Sequence, residues 1–205
     1  MTMMKKFIAV LLLALPTWAL ALTPVEGKDY TRLANPTPAL SSGLIEVREF
    51  FWYGCPHCYT LEPHVAAWLK TNPAGIKFER SPAALNSVWE ANARGYYVAE
   101  SLGLVEKTHG PLFAAIQIDK QRLFSQKSLA KFYAGFGVKE ANFNGLYNSF
   151  TVSAKVAQSR NLAVRYQLSG VPAIVVNGKY LVPGESARTI EVVKALVAQE
   201  QAKKK

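Results

Sequence analysis

The chain has two cysteines, three residues apart in Gly54-Cys55-Pro56-His57-Cys58. On a helix, residues three apart share a face, so two such thiols can close a small-ring disulfide with little movement of the chain. Pro56 suits the first helical turn, where its missing N–H costs nothing. Cys55 then stands at a helix N-terminus, where the macrodipole and the free N–H groups favour a thiolate. The chemistry open to this pair is thiol–disulfide exchange, the attack of a thiolate on a sulfur. Metal binding is the rival. His57 beside the two cysteines would need a fourth group to close a zinc site, and His64, six residues from Cys58, has no evident geometry to supply it. A structural staple is the weakest use, because so short a loop removes little entropy from the unfolded chain.

One more residue near the pair invites chemistry. In Leu44 to Phe51, alternation sets Ile45, Val47, Glu49 and Phe51 on one face of a strand. Glu49 is then a carboxylate on an apolar face, six residues before Cys55. It either reaches water at the strand end or is buried, where it needs a partner or a proton. Its closeness to the thiols favours a proton-handling role. His109, beside Gly110-Pro111, reads as a loop or helix-surface residue. Trp52, Tyr53, Trp68 and Trp89 read as core aromatics, with Trp52 or Tyr53 near enough to line the cysteine pair.

The elements that hold these residues follow from pattern. Residues 28–33 form a short edge strand. After the strand at 44–51, a helix runs from Pro56 through Leu61, Val65, Trp68 and Leu69, kinked at Pro63, and stops at Asn72-Pro73-Ala74-Gly75. Ile76 to Arg80 alternates again, giving a β-α-β unit. Residues 84–150 carry no strand pattern. Helices are expected at 84–102, at 105–118 with a break at Gly110-Pro111, after a Ser125 cap, and at 139–150. A helix over 152–168 ends at Ser169-Gly170. Two apolar runs flank Asn177-Gly178, the strongest short hairpin signal. Residues 187–201 close the chain as an amphipathic helix.

Residues 1–21 stand apart. Lys5 and Lys6, the apolar run Phe7 to Leu15 and Ala19-Leu20-Ala21 form the pattern of a secretory signal peptide, with an uncleaved anchor as the alternative. The remainder has the length of one domain with room for a good core, so it needs no disulfide framework. Basic residues outnumber acidic ones 24 to 14, but they are spread over helix surfaces apart from Lys203-Lys204-Lys205. No basic cluster interleaved with aromatics points to nucleic acid, and weak attraction to anionic lipid headgroups is the most the charge supports.

Four features together, Cys55-Pro56-His57-Cys58, the preceding Glu49-Phe50-Phe51, the distant Gly170-Val171-Pro172-Ala173 and the long helical block between, resemble the DsbA family of bacterial periplasmic thiol:disulfide oxidoreductases. The similarity spans roughly residues 28–200. It implies an α/β, thioredoxin-like fold with an inserted all-helical domain: 22–83 and 151–205 form the thioredoxin-like domain and 84–150 the insertion. It implies that Cys55 is the exposed nucleophile and Cys58 its buried partner. His57 and Pro56 form the dipeptide that tunes Cys55, Glu49 is the buried acid, and Pro172 is a cis-proline with Val171 before it facing substrate. Arg80 falls where better-known members carry a lysine, and Gly54 where some carry a bulky aromatic. The implied activity is donation of the Cys55–Cys58 disulfide to reduced exported polypeptides, with no cofactor or metal. The implied setting is the periplasm, as a monomer reoxidised by a quinone-linked inner-membrane oxidase of the DsbB type.

Overall fold

The computed structural model describes residues 22–204; residues 1–21, read above as a signal peptide, lie outside them. A five-stranded sheet runs through the molecule in the order β1-β5-β4-β2-β3. Its elements are β1 (Thr31–Arg32), β2 (Ile45–Phe51), β3 (Ile76–Pro82), β4 (Ala173–Val176) and β5 (Tyr180–Pro183). The helices are α1 (Pro56–Lys70), α2 (Ser87–Ser101), α3 (Val105–Gln117), α4 (Gln126–Ala134), α5 (Glu140–Tyr147), α6 (Phe150–Arg165) and α7 (Ala187–Ala202). β2 and β3 are parallel and joined through α1. β4 lies antiparallel to β2, and β5 to β4. β1 forms the expected edge, paired only with β5.

Register decides which residues meet beneath the cysteines. Glu49 of β2 sits opposite Arg80 of β3 on one side and Ile174 of β4 on the other. The face carrying Ile45 and Val47 packs with Ile174 and Val176 against Leu61, Val65 and Trp68 of α1 and Ile190, Val193 and Leu196 of α7. Phe50, pointing the other way, packs with Val175 against Ala163 of α6 and Tyr166, the residue that caps its C-terminus. A second core lies between the end of β2 and the helices of residues 87–156, where Phe51 and Tyr53 meet Tyr96, Leu112 and Phe113. Both cysteines belong to this core.

The Asn177-Gly178 turn has positive φ at both residues, 52° and 63°. That is the type I′ geometry a two-residue hairpin needs, and it explains why Asn-Gly was legible there.

Several element bounds differ from the sequence expectation. The chain is helical from Phe150, capped by Ser149, and this helix stops at Arg165 rather than at 168. α2 begins at Ser87 rather than 84, because the Asn86 side chain accepts from Trp89 N–H and sets the start. α1 runs as one helix through Pro63. α3 is unbroken at Gly110-Pro111. A helix-interior proline costs about 3 kcal/mol and a glycine about 1 kcal/mol by propensity. Here Thr108, His109, Leu112, Phe113, Ala115 and Ile116 are all buried on one helix, and burying a large apolar side chain returns about 1.5–3 kcal/mol.

Candidate active site

Cys55 is the N-cap residue of α1, with extended backbone at φ −91°, ψ 115°. Its sulfur occupies the place a capping serine oxygen usually takes, and Cys58 N–H donates to Cys55 Sγ at 3.4 Å. Val171 O lies 3.4 Å from Cys55 Sγ and accepts from it when the thiol is protonated. Cys55 is 8% exposed and Cys58 1%, so Cys55, expected to be exposed, is buried but for a sliver of surface, because its sulfur caps α1 and faces Val171 O. Both are free thiols.

The two sulfurs differ sharply in chemistry. The neighbouring Cys58 thiol does most to pull Cys55 down to about 6. Burial opposes it, and the backbone N–H groups of Cys58 and His57 and the charge of His57 add to the pull. Burial, helped by the hydrogen bond to Cys55, pushes Cys58 far above the ordinary thiol range. Near neutrality, then, Cys55 is a thiolate and Cys58 holds its proton.

His57 is exposed, and its Nδ1 donates to Glu185 Oε2 at 2.6 Å. That hydrogen bond and the carboxylate charge raise the imidazole above its usual range, and the Cys55 sulfur adds to this. Sequence reading missed Glu185, because it comes from the loop between β5 and α7, 128 residues away. In Glu185→Gln the His57 titration midpoint is expected to fall toward the ordinary histidine value. A histidine NMR titration reads it directly, and an unmoved midpoint would remove this ion pair from the account.

Glu49 is buried and faces Arg80, whose Nε donates to Glu49 Oε2 at 3.2 Å. The arginine therefore does pair with the acid, where the resemblance led one to look for a lysine. The same guanidinium also donates from Nη2 to Glu62 Oε1 at 2.9 Å. Two carboxylates thus share one cation. Burial is the largest influence on Glu49 and carries it up to about 7; Arg80 pulls it down and the Glu62 charge adds to the rise. An acid with that value releases or accepts a proton at neutral pH. Glu62 lies four residues after Cys58 on the same helix face, a spacing that could have flagged it.

His109 corrects its sequence reading. It is 4% exposed, inside α3. Tyr53 Oη lies 2.8 Å from His109 Nδ1, and His109 Nε2 lies 3.3 Å from Glu62 Oε2. The α3 helix turns this face inward, onto Phe51 and Tyr53, with its own Phe113 beside the imidazole. Among the described residues no group of three or more His, Cys, Asp or Glu is placed to hold a metal ion.

The Val171-Pro172 peptide is cis and brings Val171 O to Cys55. Beside it lies a cleft of about 280 Å³, walled by Leu168, Val171, Pro172 and Leu181, with His57 and Glu185 at its edge. Next to Cys55, the Trp52 ring folds over Gly54, where a Cβ would clash with Trp52 Cζ2. Trp52 also stacks on Trp89 at 4.8 Å and donates its N–H to Asn92 at 2.9 Å. Of the two candidates Trp52 and Tyr53, Trp52 is half-buried beside the pair and Tyr53 is wholly buried beneath it.

Comparison with known proteins agrees with this geometry. Residues 71–192 match the model of the DSBA-like thioredoxin domain family. The chain is 38% identical to the thiol:disulfide interchange protein DsbA of Pseudomonas aeruginosa, over 86% of this chain and 85% of that protein. It is also 38% identical to the DsbA of Azotobacter vinelandii, over 93% and 92%. The crystal structure of the Pseudomonas aeruginosa DsbA superposes with a TM-score of 0.81 at 37% identity, covering 87% of this chain and 95% of that one. With its sheet, its cysteine pair at the head of α1 and these relatives, the chain belongs to the DsbA family of thiol:disulfide oxidoreductases, with the thioredoxin-like fold of that family.

Proposed function

We propose that the chain is an exported disulfide donor of the periplasm, transferring its Cys55–Cys58 disulfide to newly exported proteins and so promoting their oxidative folding. The observation that carries this reading is the asymmetry of the two thiols: Cys55, capping α1, is held near 6 while Cys58 is buried and pushed up. A dithiol whose attacking cysteine is so stabilised as a thiolate gives up its disulfide readily, because the reduced form is the comfortable one.

The steps follow. A substrate thiolate attacks Cys55 Sγ, the Cys55–Cys58 bond breaks, and Cys58 leaves as a thiolate. Its high proton affinity draws a proton from Glu49. A second substrate thiolate attacks the substrate sulfur of the mixed disulfide, and Cys55 leaves as the stable thiolate. One disulfide is consumed and one formed; of the two substrate protons, one ends on Cys58 by way of Glu49 and one in solvent. Pro56 starts the helix, His57 adds positive potential beside Cys55, and Val171 with Pro172 presents backbone and an apolar wall to an extended substrate.

The remaining assignments belong to the same proposal. Residues 1–21 direct export, 22–83 with 151–205 form the thioredoxin-like domain, and 84–150 form the helical insertion. The protein works as a monomer without cofactor, metal or nucleic acid. A quinone-linked inner-membrane oxidase of the DsbB type returns it to the disulfide form. Among the described residues, no helix is long and apolar enough to cross a membrane. The test is to mix the oxidised protein with a reduced two-cysteine peptide and follow both by mass spectrometry. One peptide disulfide per protein disulfide lost is expected; an unchanged peptide would refute the reading.

A further inference from the structure

The chain Glu49–Arg80–Glu62–His109–Tyr53 is continuous, yet two of its buried atoms, Glu62 Oε2 and His109 Nε2, have no hydrogen-bond partner. They lie 3.3 Å apart, close enough for attraction but not aligned as a hydrogen bond. Leaving a buried polar atom unsatisfied costs about 1–3 kcal/mol, so a third participant is called for. Both residues border a cavity of about 380 Å³, shared with Arg80, Ala66, and with Lys70 and Glu106. Polar walls and that volume suit several ordered waters. With Tyr53 Oη–H donating to Nδ1, the neutral imidazole keeps its proton on Nε2, facing Glu62. Glu49 itself is 1% exposed and does not line the cavity; Arg80 and Glu62 stand between.

We propose that His109 is a positioning residue for the buried acid, holding Glu62 as a carboxylate beside Arg80, and that the cavity these residues border is the port through which Glu49 exchanges its proton with solvent. This rests on the proton-donor role given to Glu49 above. When Cys58 takes the Glu49 proton, the Glu49 carboxylate recovers one from solvent through waters in the cavity. The charged groups facing this acid are Arg80, which favours its ionised form, and Glu62, which opposes it. Glu62 is kept below the usual carboxylate range against the cost of its burial, by His109 and Arg80. Burial keeps His109 itself below the usual range, so it serves Glu62 as a neutral N–H donor by way of a cavity water. Losing that donor favours a protonated Glu62, leaves Arg80 to Glu49 alone, and lowers the Glu49 midpoint.

The experiment uses the full mature protein with Glu49 followed by carboxyl-selective 13C NMR and exchange followed by stopped flow across pH. His109→Phe is expected to lower the Glu49 midpoint by roughly half a pH unit or more, and His109→Gln, which retains an N–H donor, to restore most of it. Glu62→Gln should lower it as well, and serves if His109→Phe does not fold. Ala66→Phe, which fills the cavity from α1, should slow exchange several-fold while leaving the Glu49 midpoint in place. A Glu49 midpoint unmoved in the folded His109 and Glu62 variants would overturn the positioning role, and an undiminished rate in Ala66→Phe would overturn the port. Because the NMR midpoint is read without catalysis, it separates this inference from the Glu49 reading, which fails on its own if Glu49→Gln exchanges as fast as the parent.

Discussion

Replacing Cys55 by serine is expected to abolish oxidation of a reduced peptide, leaving only the uncatalysed rate. The hydroxyl of a serine neither ionises near neutrality nor forms a disulfide, and the one cysteine that remains, Cys58, is buried and holds its proton. Cys58→Ser should behave differently. Cys55 remains the N-cap of α1, with the backbone N–H of residue 58 and His57 still beside it, so it still attacks a disulfide-bonded peptide. With no partner to resolve it, the mixed disulfide accumulates. Intact-mass measurement distinguishes the two: no adduct for Cys55→Ser, and one adduct per chain for Cys58→Ser. Adducts on Cys55→Ser would reverse the assignment of nucleophile and partner.

The second large effect is expected at Glu49. Glutamine is close to the same size and keeps a hydrogen-bond acceptor for Arg80, but it cannot give up a proton. Positioned proton transfer contributes about 10²-fold or more to a reaction step, so Glu49→Gln should slow disulfide transfer by about 10²-fold when release of Cys58 limits it. The sign of the pH dependence follows from a midpoint near 7. Below it Glu49 carries the proton that Cys58 needs; above it the parent enzyme loses that advantage. The rate ratio of parent to variant should therefore be greatest on the acid side and shrink as pH rises through 7. Stopped-flow rates at a fixed substrate-thiolate concentration make the comparison, and a pH-independent ratio of one would remove Glu49 from the mechanism.

The parts of this site that the sequence exposed are those set by local rules. Cys55, Pro56, His57 and Cys58 are neighbours in one helical turn, so spacing alone brought them together. Glu49 was visible because strand alternation put a carboxylate among apolar residues, and Asn177-Gly178 because the turn demands positive φ at both residues. The rest depends on segments that meet only in the folded chain. Glu185 reaches His57 across 128 residues, and Arg80 reaches both carboxylates only because parallel pairing sets it opposite Glu49. His109 was misread for a physical reason: Gly110-Pro111 marks a break by local propensity, whereas α3 stays helical because its inward face packs on Phe51, Tyr53 and the neighbouring helices. Once that helix is continuous, its histidine faces the buried acid.

The central claim is that the fold stabilises the reduced pair, through a Cys55 thiolate at the head of α1, and so makes the oxidised pair a donor. The measurement that tests it most directly is the reduction potential of the Cys55–Cys58 couple, from equilibration with glutathione buffers. The expected value lies far above the roughly −270 mV of thioredoxin. A value at or near that of thioredoxin would contradict it, because a pair so poised takes disulfides from other proteins instead of giving them.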